Sequence, residues 1–301
     1  MQLLPLIGIF LVGIILRSAG VVNEKLSSLL LRVVFYFALP IVIFLSIVKV
    51  ELDGILIYSA LLPPAIVVVT LTASLLLKRS LLRHVKAKTF ASMLAGAAIL
   101  NLSFMYPFIQ AAYGAEGLAR LAVIDCFNAI VMFTVTYAVI AGQVQHRASV
   151  TAIARRVLAA PSLWALIAGL AFKLSGVALP PSVTAILAPA ALFLSWTLLF
   201  ALGIKFKWQL KNPSLFFVEL LLRFGFGALI GLGFVMLFKL HGLDAEIVLI
   251  ASVAPIGLNS ITLAEIEKLD VDYAVSAVSA GLVIGIITVP FIIHFVHSVA
   301  W

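Results

Sequence analysis

The sequence predicts an all-α polytopic membrane protein: ten transmembrane helices arranged as two inverted five-helix repeats, with the fourth and ninth helices broken. Three observations carry this. The chain of 301 residues is 64% hydrophobic and only 11% charged, against about 25% charged for an ordinary soluble domain, more apolar surface than a water-soluble core can hide. Its apolar runs are separated by short, basic gaps. Two of those runs are interrupted by proline at matching places, in Asn101-Leu102-Ser103-Phe104-Met105-Tyr106-Pro107 and in Ala254-Pro255-Ile256-Gly257-Leu258-Asn259-Ser260.

A helical span needs about 20 apolar residues, and ten candidate runs appear in order, their ends placed to within a few residues. The first, about 3–16, contains Pro5 and has no basic stretch before it, so it reads as a retained span rather than a cleaved signal. The second, about 28–48, carries Pro-Ile-Val-Ile-Phe-Leu-Ser at 40–46. The third, about 55–77, ends on the basic stretch Lys78 to Lys88. The fourth, about 89–112, holds Asn101 and Pro107, and the fifth, about 117–141, holds Asp125 and Asn128. The stretch 143–156 joins the halves as a cytoplasmic linker, so residues 1–142 form the first repeat and 157–301 the second. The sixth span is about 157–175. The seventh, about 180–204, carries Pro-Ala-Ala-Leu-Phe-Leu-Ser at 189–195, identical to 40–46 at four of seven positions and 149 residues on. The eighth, about 214–239, holds Glu219 and Arg223 at helical i, i+4 spacing, an expected ion pair. The ninth, about 246–264, holds Pro255, Gly257 and Asn259, and the tenth, about 273–299, carries His294 and His297. Pro107 and Pro255 lie 148 residues apart, close to the offset of the other proline pair. A unit of five spans is odd in number, so its second copy runs the opposite way through the membrane.

Charge sets the orientation. With the N-terminus outside, fifteen of the twenty Lys and Arg fall in inner gaps, chiefly Lys78 to Lys88 and Gln143 to Arg156. Lys49, Arg120, Lys173 and Lys239 fall outside, and Arg223 lies within a span. The positive-inside rule therefore places both termini outside. The net charge of +8 follows these gaps rather than a nucleic-acid face, and no nucleic-acid partner is expected. The sequence contains no HExxH, GxSxG, Walker A or GxGxxG pattern, so no enzyme chemistry, cofactor or ATP-driven step is predicted. Cys126 is the single cysteine, which excludes an intrachain disulfide.

The breaks carry the functional reading. Proline removes a backbone donor and clashes with the preceding turn. In lipid the freed carbonyls find no water, so a break persists only within protein or beside a wet cavity. Paired breaks in the two halves point to a transporter's binding site, to which Asn101 and Asn259 add amides and the resumed helices add N-terminal N–H groups suited to anions. Gly257 allows backbones to approach closely. The asparagines are placed differently about their prolines, so the site is expected to be asymmetric. A proline kink with interhelical asparagine bonds is the structural alternative. Asp125 in an apolar span is a functional candidate by default, and with Asn128 three residues on it forms a candidate site for a coupling proton or cation; the alternative is an interhelical hydrogen-bond network. Ser46, with Pro40, Phe44 and their mates Pro189, Phe193 and Ser195, is a candidate for the cavity wall. Arg120 is read as a snorkelling residue or an anion attractor. A metal site at His294 and His297 lacks nearby carboxylates in the sequence, and none is expected.

These residues also carry a resemblance. The Phe-Ala-Leu-Pro of 37–40, the Asn-x5-Pro of 101–107 followed by Tyr113-Gly114 and Gly117-Leu118, the Asp125-x2-Asn128 and the late Ala254-Pro255 resemble the auxin efflux carrier family across essentially the whole chain. That family includes plant PIN-type carriers and bacterial malonate-transporter-like proteins. The resemblance implies a fold similar to bile acid sodium symporters, a scaffold and a transport domain each drawn from both repeats, and broken helices four and nine crossing at the substrate site. It implies Asn101, Pro107, Pro255 and, more loosely, Asn259 beside the substrate. It also puts Asp125, Asn128 and Glu265 in the region where bile acid relatives bind ions. The expected function is a secondary active or facilitative transporter exporting a small organic anion by elevator-like alternating access, in a bacterial inner membrane, with a proton or sodium as coupling ion and a homodimer as a compatible assembly. A sodium-coupled importer and a non-transporting ligand sensor are the alternatives.

Overall fold

In the computed structural model, which describes residues 4–49, 55–143, 150–207 and 209–299, nearly every element is a helix. In chain order these are α1 (Leu4–Ser18), α2 (Glu24–Val33), α3 (Leu39–Lys49), α4 (Ile55–Ala60), α5 (Leu62–Leu81), α6 (Ala87–Ala98), α7 (Leu102–Val131), α8 (Tyr137–Gln143) and α9 (Val150–Leu158), then α10 (Pro161–Leu174), α11 (Pro181–Leu187), α12 (Pro189–Lys205), α13 (Pro213–Leu220), α14 (Phe226–Leu237), α15 (Gly242–Ser252), α16 (Asn259–Ile266) and α17 (Val271–Ser298). Single π-helical turns join α2 to α3 (Val34–Ala38), α7 to α8 (Met132–Thr136) and α13 to α14 (Leu221–Gly225). The β-structure among the described residues is one antiparallel bridge, Leu100 with Ile256. Of the expected linker, residues 144–149 lie outside the described residues, and α9 covers most of the rest.

Six helical stretches among the described residues are long and apolar enough to cross a membrane: Glu24–Lys49, Tyr58–Leu81, Leu102–Gln143, Pro181–Lys205, Pro213–Leu237 and Val271–Ser298. Two more, Leu4–Ser18 and Pro161–Leu174, are apolar but shorter. The stretch Leu102–Gln143 has 42 residues, about 60 Å at 1.5 Å per residue and twice the thickness of a hydrocarbon core. Its resolution is at Gly114, whose φ of 59° and ψ of −145° interrupt α7, a conformation essentially restricted to glycine. Large apolar side chains such as Leu76, Leu174, Ile186 and Leu237 stand exposed, as expected of a surface solvated by lipid.

The helices sort into two groups. In one, α1 lies on α12 and α10 lies on α3. A Cβ at Gly13 would collide with the Phe200 carbonyl, and one at Gly203 with the Phe10 carbonyl; small residues let membrane helices pack at backbone distance. Gly169 does the same for α10 against Ile47. The Ser27 hydroxyl donates to the Ala201 carbonyl at 2.7 Å, tying α2 to α12. In the other group, α5, α6 and α13 to α17 pack together. Asp270 caps α17, accepting from Tyr273 N at 3.0 Å, and its second oxygen accepts from Thr89 Oγ1 of α6 at 2.7 Å. Helix α7 touches both groups.

Candidate functional site

Two helices stop within the protein and restart at nearly the same point. α6 ends at Ala98, Ile99 is extended, and α7 starts at Leu102; α15 ends at Ser252 and α16 starts at Asn259. The unwound segments pair with each other. Asn101 N donates to the Pro255 carbonyl at 2.9 Å and Gly257 N to the Ile99 carbonyl at 2.9 Å, flanking the Leu100–Ile256 bridge. Each break supplies the partners that the other lacks, which matters where an unpaired backbone group costs several kcal/mol. The approach requires glycine: a Cβ on Gly257 would overlap the Ile99 side chain and lie 2.9 Å from its carbonyl oxygen. Gly281 and Gly285, one turn apart on α17, leave room for Ile256 and Pro255.

Side chains complete the crossing. Asn101 caps α7, accepting from Phe104 N at 3.3 Å while its Nδ2 donates to the Ile256 carbonyl at 3.3 Å. Asn128 Nδ2 donates to the Leu100 carbonyl at 3.3 Å and to Asp125 Oδ1 at 3.4 Å. Because both partners are acceptors, the network sets the amide's orientation. Asn128 Oδ1 is buried and has no partner. Arg223, fully buried, donates from Nε to the Ala254 carbonyl and from Nη2 to the Ser252 carbonyl, both at 3.0 Å. It therefore closes the open C-terminal end of α15.

A cavity of about 350 Å³ abuts the crossing. Asn101, Ser103, Asp125, Asn128, Leu258 and Asn259 line one part of it, and Phe35, Tyr36, Leu39, Met132, Phe133 and the start of α10 line the rest. Two of the π-helical turns thus supply aromatic and apolar wall residues, in keeping with the frequency of such turns at functional sites.

The expectations meet this geometry unevenly. Asn101, Asn259, Asp125 and Asn128 come together on one cavity, and Pro255 lies in the second break. Pro107 does not lie in the first: it sits six residues into α7, and the break falls at Ile99–Asn101. A proline in a membrane helix is tolerated where its lost bond is satisfied nearby, and here its effect is to leave the Ser103 carbonyl, four residues back, without an intrahelical donor. Ser46 is buried in α3 and lines a different cavity. Glu265 is exposed near the C-terminal end of α16 and is not among the residues that line the cavity with Asp125. Glu219 and Arg223 do not pair. The π-helical turn between α13 and α14 upsets the i, i+4 register, so Glu219 accepts from the Tyr273 hydroxyl at 2.5 Å while Arg223 turns to the break. Arg120 is bound to Asp244, Nε to Oδ1 at 2.7 Å, rather than snorkelling. His297 faces a carboxylate that the sequence did not place there, Glu246, at 3.3 Å. Sequence reasoning missed Tyr36, Ser103 and the role of Arg223; an arginine inside an apolar span beside a broken helix was the available signal.

The pattern describing membrane transport proteins matches residues 1–293. The chain is also 28% identical over 298 residues to an uncharacterized transporter of Methanothermobacter thermautotrophicus, covering 95% of each. These matches take in every residue of the crossing and its cavity, and the chain belongs to the membrane transport protein family, that of the auxin efflux carriers.

Proposed function

We propose that the protein is a secondary transporter of a small organic anion such as a carboxylate, exporting it by an elevator-like movement, with a proton or cation bound at Asp125. The observation that carries this reading is the start of two half-helices, α7 and α16, at one cavity that also presents the Asn101 and Asn259 amides. Each helix N-terminus holds roughly half a positive charge, enough together to offset about one carboxylate. Asp125 already stands in that cavity. A substrate anion therefore adds a second negative charge, which a proton or cation at Asp125 balances. Asn128 Oδ1, on the amide whose Nδ2 contacts Asp125, is buried and unpartnered, an acceptor that a bound cation would satisfy; that supports sodium-coupled import as the second reading.

The helix boundaries support two inverted five-helix repeats. Helices ending at Ser18, Lys49 and Leu81 recur as helices ending at Leu174, Lys205 and Leu237, each 156 residues on, and the bridged pair Leu100 and Ile256 has the same separation. In this register Gly13 corresponds to Gly169, both contact glycines, whereas the proline pairs at 148 and 149 do not correspond. The sorting of helices supports a scaffold of α1–α3 and α10–α12 and a moving group built from the rest.

The test is flux in proteoliposomes against a panel of mono- and dicarboxylates, with Asn101→Ala as the variant. Flux of a transported acid should fall at least tenfold, about 1.4 kcal/mol, while the purified variant stays monodisperse. Near-normal flux through Asn101→Ala would remove the crossing from the substrate path.

A further inference from the structure

A second cavity, of about 190 Å³, is lined by residues further along α3 and by α7 residues around the Gly114 interruption, between the two α7 stretches that line the first. Along α3, Leu39 lines the crossing cavity and Ser46 and Lys49 line the second; along α7, Asn101 and Ser103 line the first and Gln110 the second. At 1.5 Å per residue the polar groups of the two chambers, Ser103 and Gln110 on α7, are about 10 Å apart along the helix axis. The α7 residues between them, Phe104 to Ile109, are all buried, so a dry septum containing Pro107 separates them.

The polar groups in this second chamber have a common character. Lys49 brings a cation at the end of α3, and Ser46, one turn earlier, is on the same helix face. Gln110 lines the chamber with its Oε1 enclosed and unpartnered; an amide oxygen can only accept, so the group it offers an anion is its Nε2, a donor like the Ser46 hydroxyl. The remaining wall is apolar: Val42, Leu45, Leu118 and alanines of the α11–α12 region. No carboxylate lines it among the described residues, in contrast to the crossing cavity with Asp125.

We propose that this chamber is a second anion site, a station for a small carboxylate on the other side of the septum, with Lys49 as its charge partner and the Ser46 hydroxyl and Gln110 Nε2 as hydrogen-bond donors. It rests on the reading of the protein as an organic-anion carrier, and adds where the anion goes after leaving the crossing. With Lys49 and no carboxylate among its described lining residues, the chamber takes the anion without a co-bound cation, so the coupling ion is left at Asp125 when the substrate crosses the septum.

Thiol chemistry tests the chamber without depending on flux. In a Cys126→Ser background, Ser46→Cys offers a single thiol to the anionic 2-sulfonatoethyl and the cationic 2-trimethylammonioethyl methanethiosulfonates, in detergent at fixed low ionic strength. The anionic reagent should react faster, and adding Lys49→Gln should lower the anionic-to-cationic rate ratio about fivefold or more, as expected for loss of one charge within a Debye length; Lys49→Arg should preserve it. A ratio indifferent to Lys49→Gln, or a thiol at position 46 that neither reagent reaches, overturns the proposal. Because the readout needs no transport, its failure stays distinct from failure of the Asn101→Ala flux test.

Discussion

Asp125 is the one carboxylate among the described residues lining the crossing cavity, and under the proposed function it shares that cavity with the substrate anion. Its replacement by asparagine keeps the shape and removes the charge. Asp125→Asn should therefore leave flux of a transported carboxylate measurable while abolishing its dependence on a sodium or proton gradient, read by imposing each gradient in turn across proteoliposomes. Unchanged gradient dependence would reduce Asp125 to a hydrogen-bond acceptor for Asn128. Residues of this kind were legible in the sequence because a charge or amide in an apolar span stands out, and Asn101, Asp125, Asn128 and Asn259 all reach the cavity. Ser46 and Glu265 were not separable from them by the same reasoning, since which wall a residue faces depends on how helices from both halves pack. Arg223 shows the opposite case: its spacing from Glu219 suggested a pair, but a π-helical turn gave the guanidinium to the Ser252 and Ala254 carbonyls instead.

At the scale of the element, the two breaks function as one object. Neither unwound strand has a complete set of hydrogen bonds until the other lies across it. Gly257 sets their separation, so Gly257→Val should force the Ile99 backbone away, at about 1–3 kcal/mol for overpacking, and lower the midpoint of thermal unfolding in detergent by a few degrees. A midpoint equal to wild type would mean that the strands part without cost. The sequence announced the second break openly, because Pro255 and Gly257 both lie in it. It hid the first, where Ile99, Leu100 and Asn101 carry no breaking residue and the nearby proline is tolerated inside α7. What opens that segment is its partner strand and the Asn101 cap, contacts made across about 155 residues that local propensity does not record.

For the whole molecule, the ends of the helices reveal a regularity that the residues conceal. Of the ten expected spans, six are long and apolar enough among the described residues, and these were readable from composition and periodicity; the 156-residue spacing of helix ends was not, because prolines mark different positions in the two halves. The sorting of helices into two groups places the second chamber at the contact of α3 and α12 with α7. With Cys126→Ser, joining Ser46→Cys to Gln110→Cys by a short bis-methanethiosulfonate should cut flux at least tenfold and reduction should restore it, as expected if the groups slide past each other. Full flux in the cross-linked protein would rule that movement out. The bridge between Leu100 and Ile256 has a further consequence, for synthesis. The first strand leaves the ribosome with its Ile99 carbonyl and Asn101 amide unmatched, and their partners at residues 255–257 follow about 155 residues later. At roughly 5–20 residues per second the nascent chain waits about 8–30 s with an open backbone at membrane depth, so the first half must be sheltered by the insertion machinery, or by water held around it, until the second half arrives to close it.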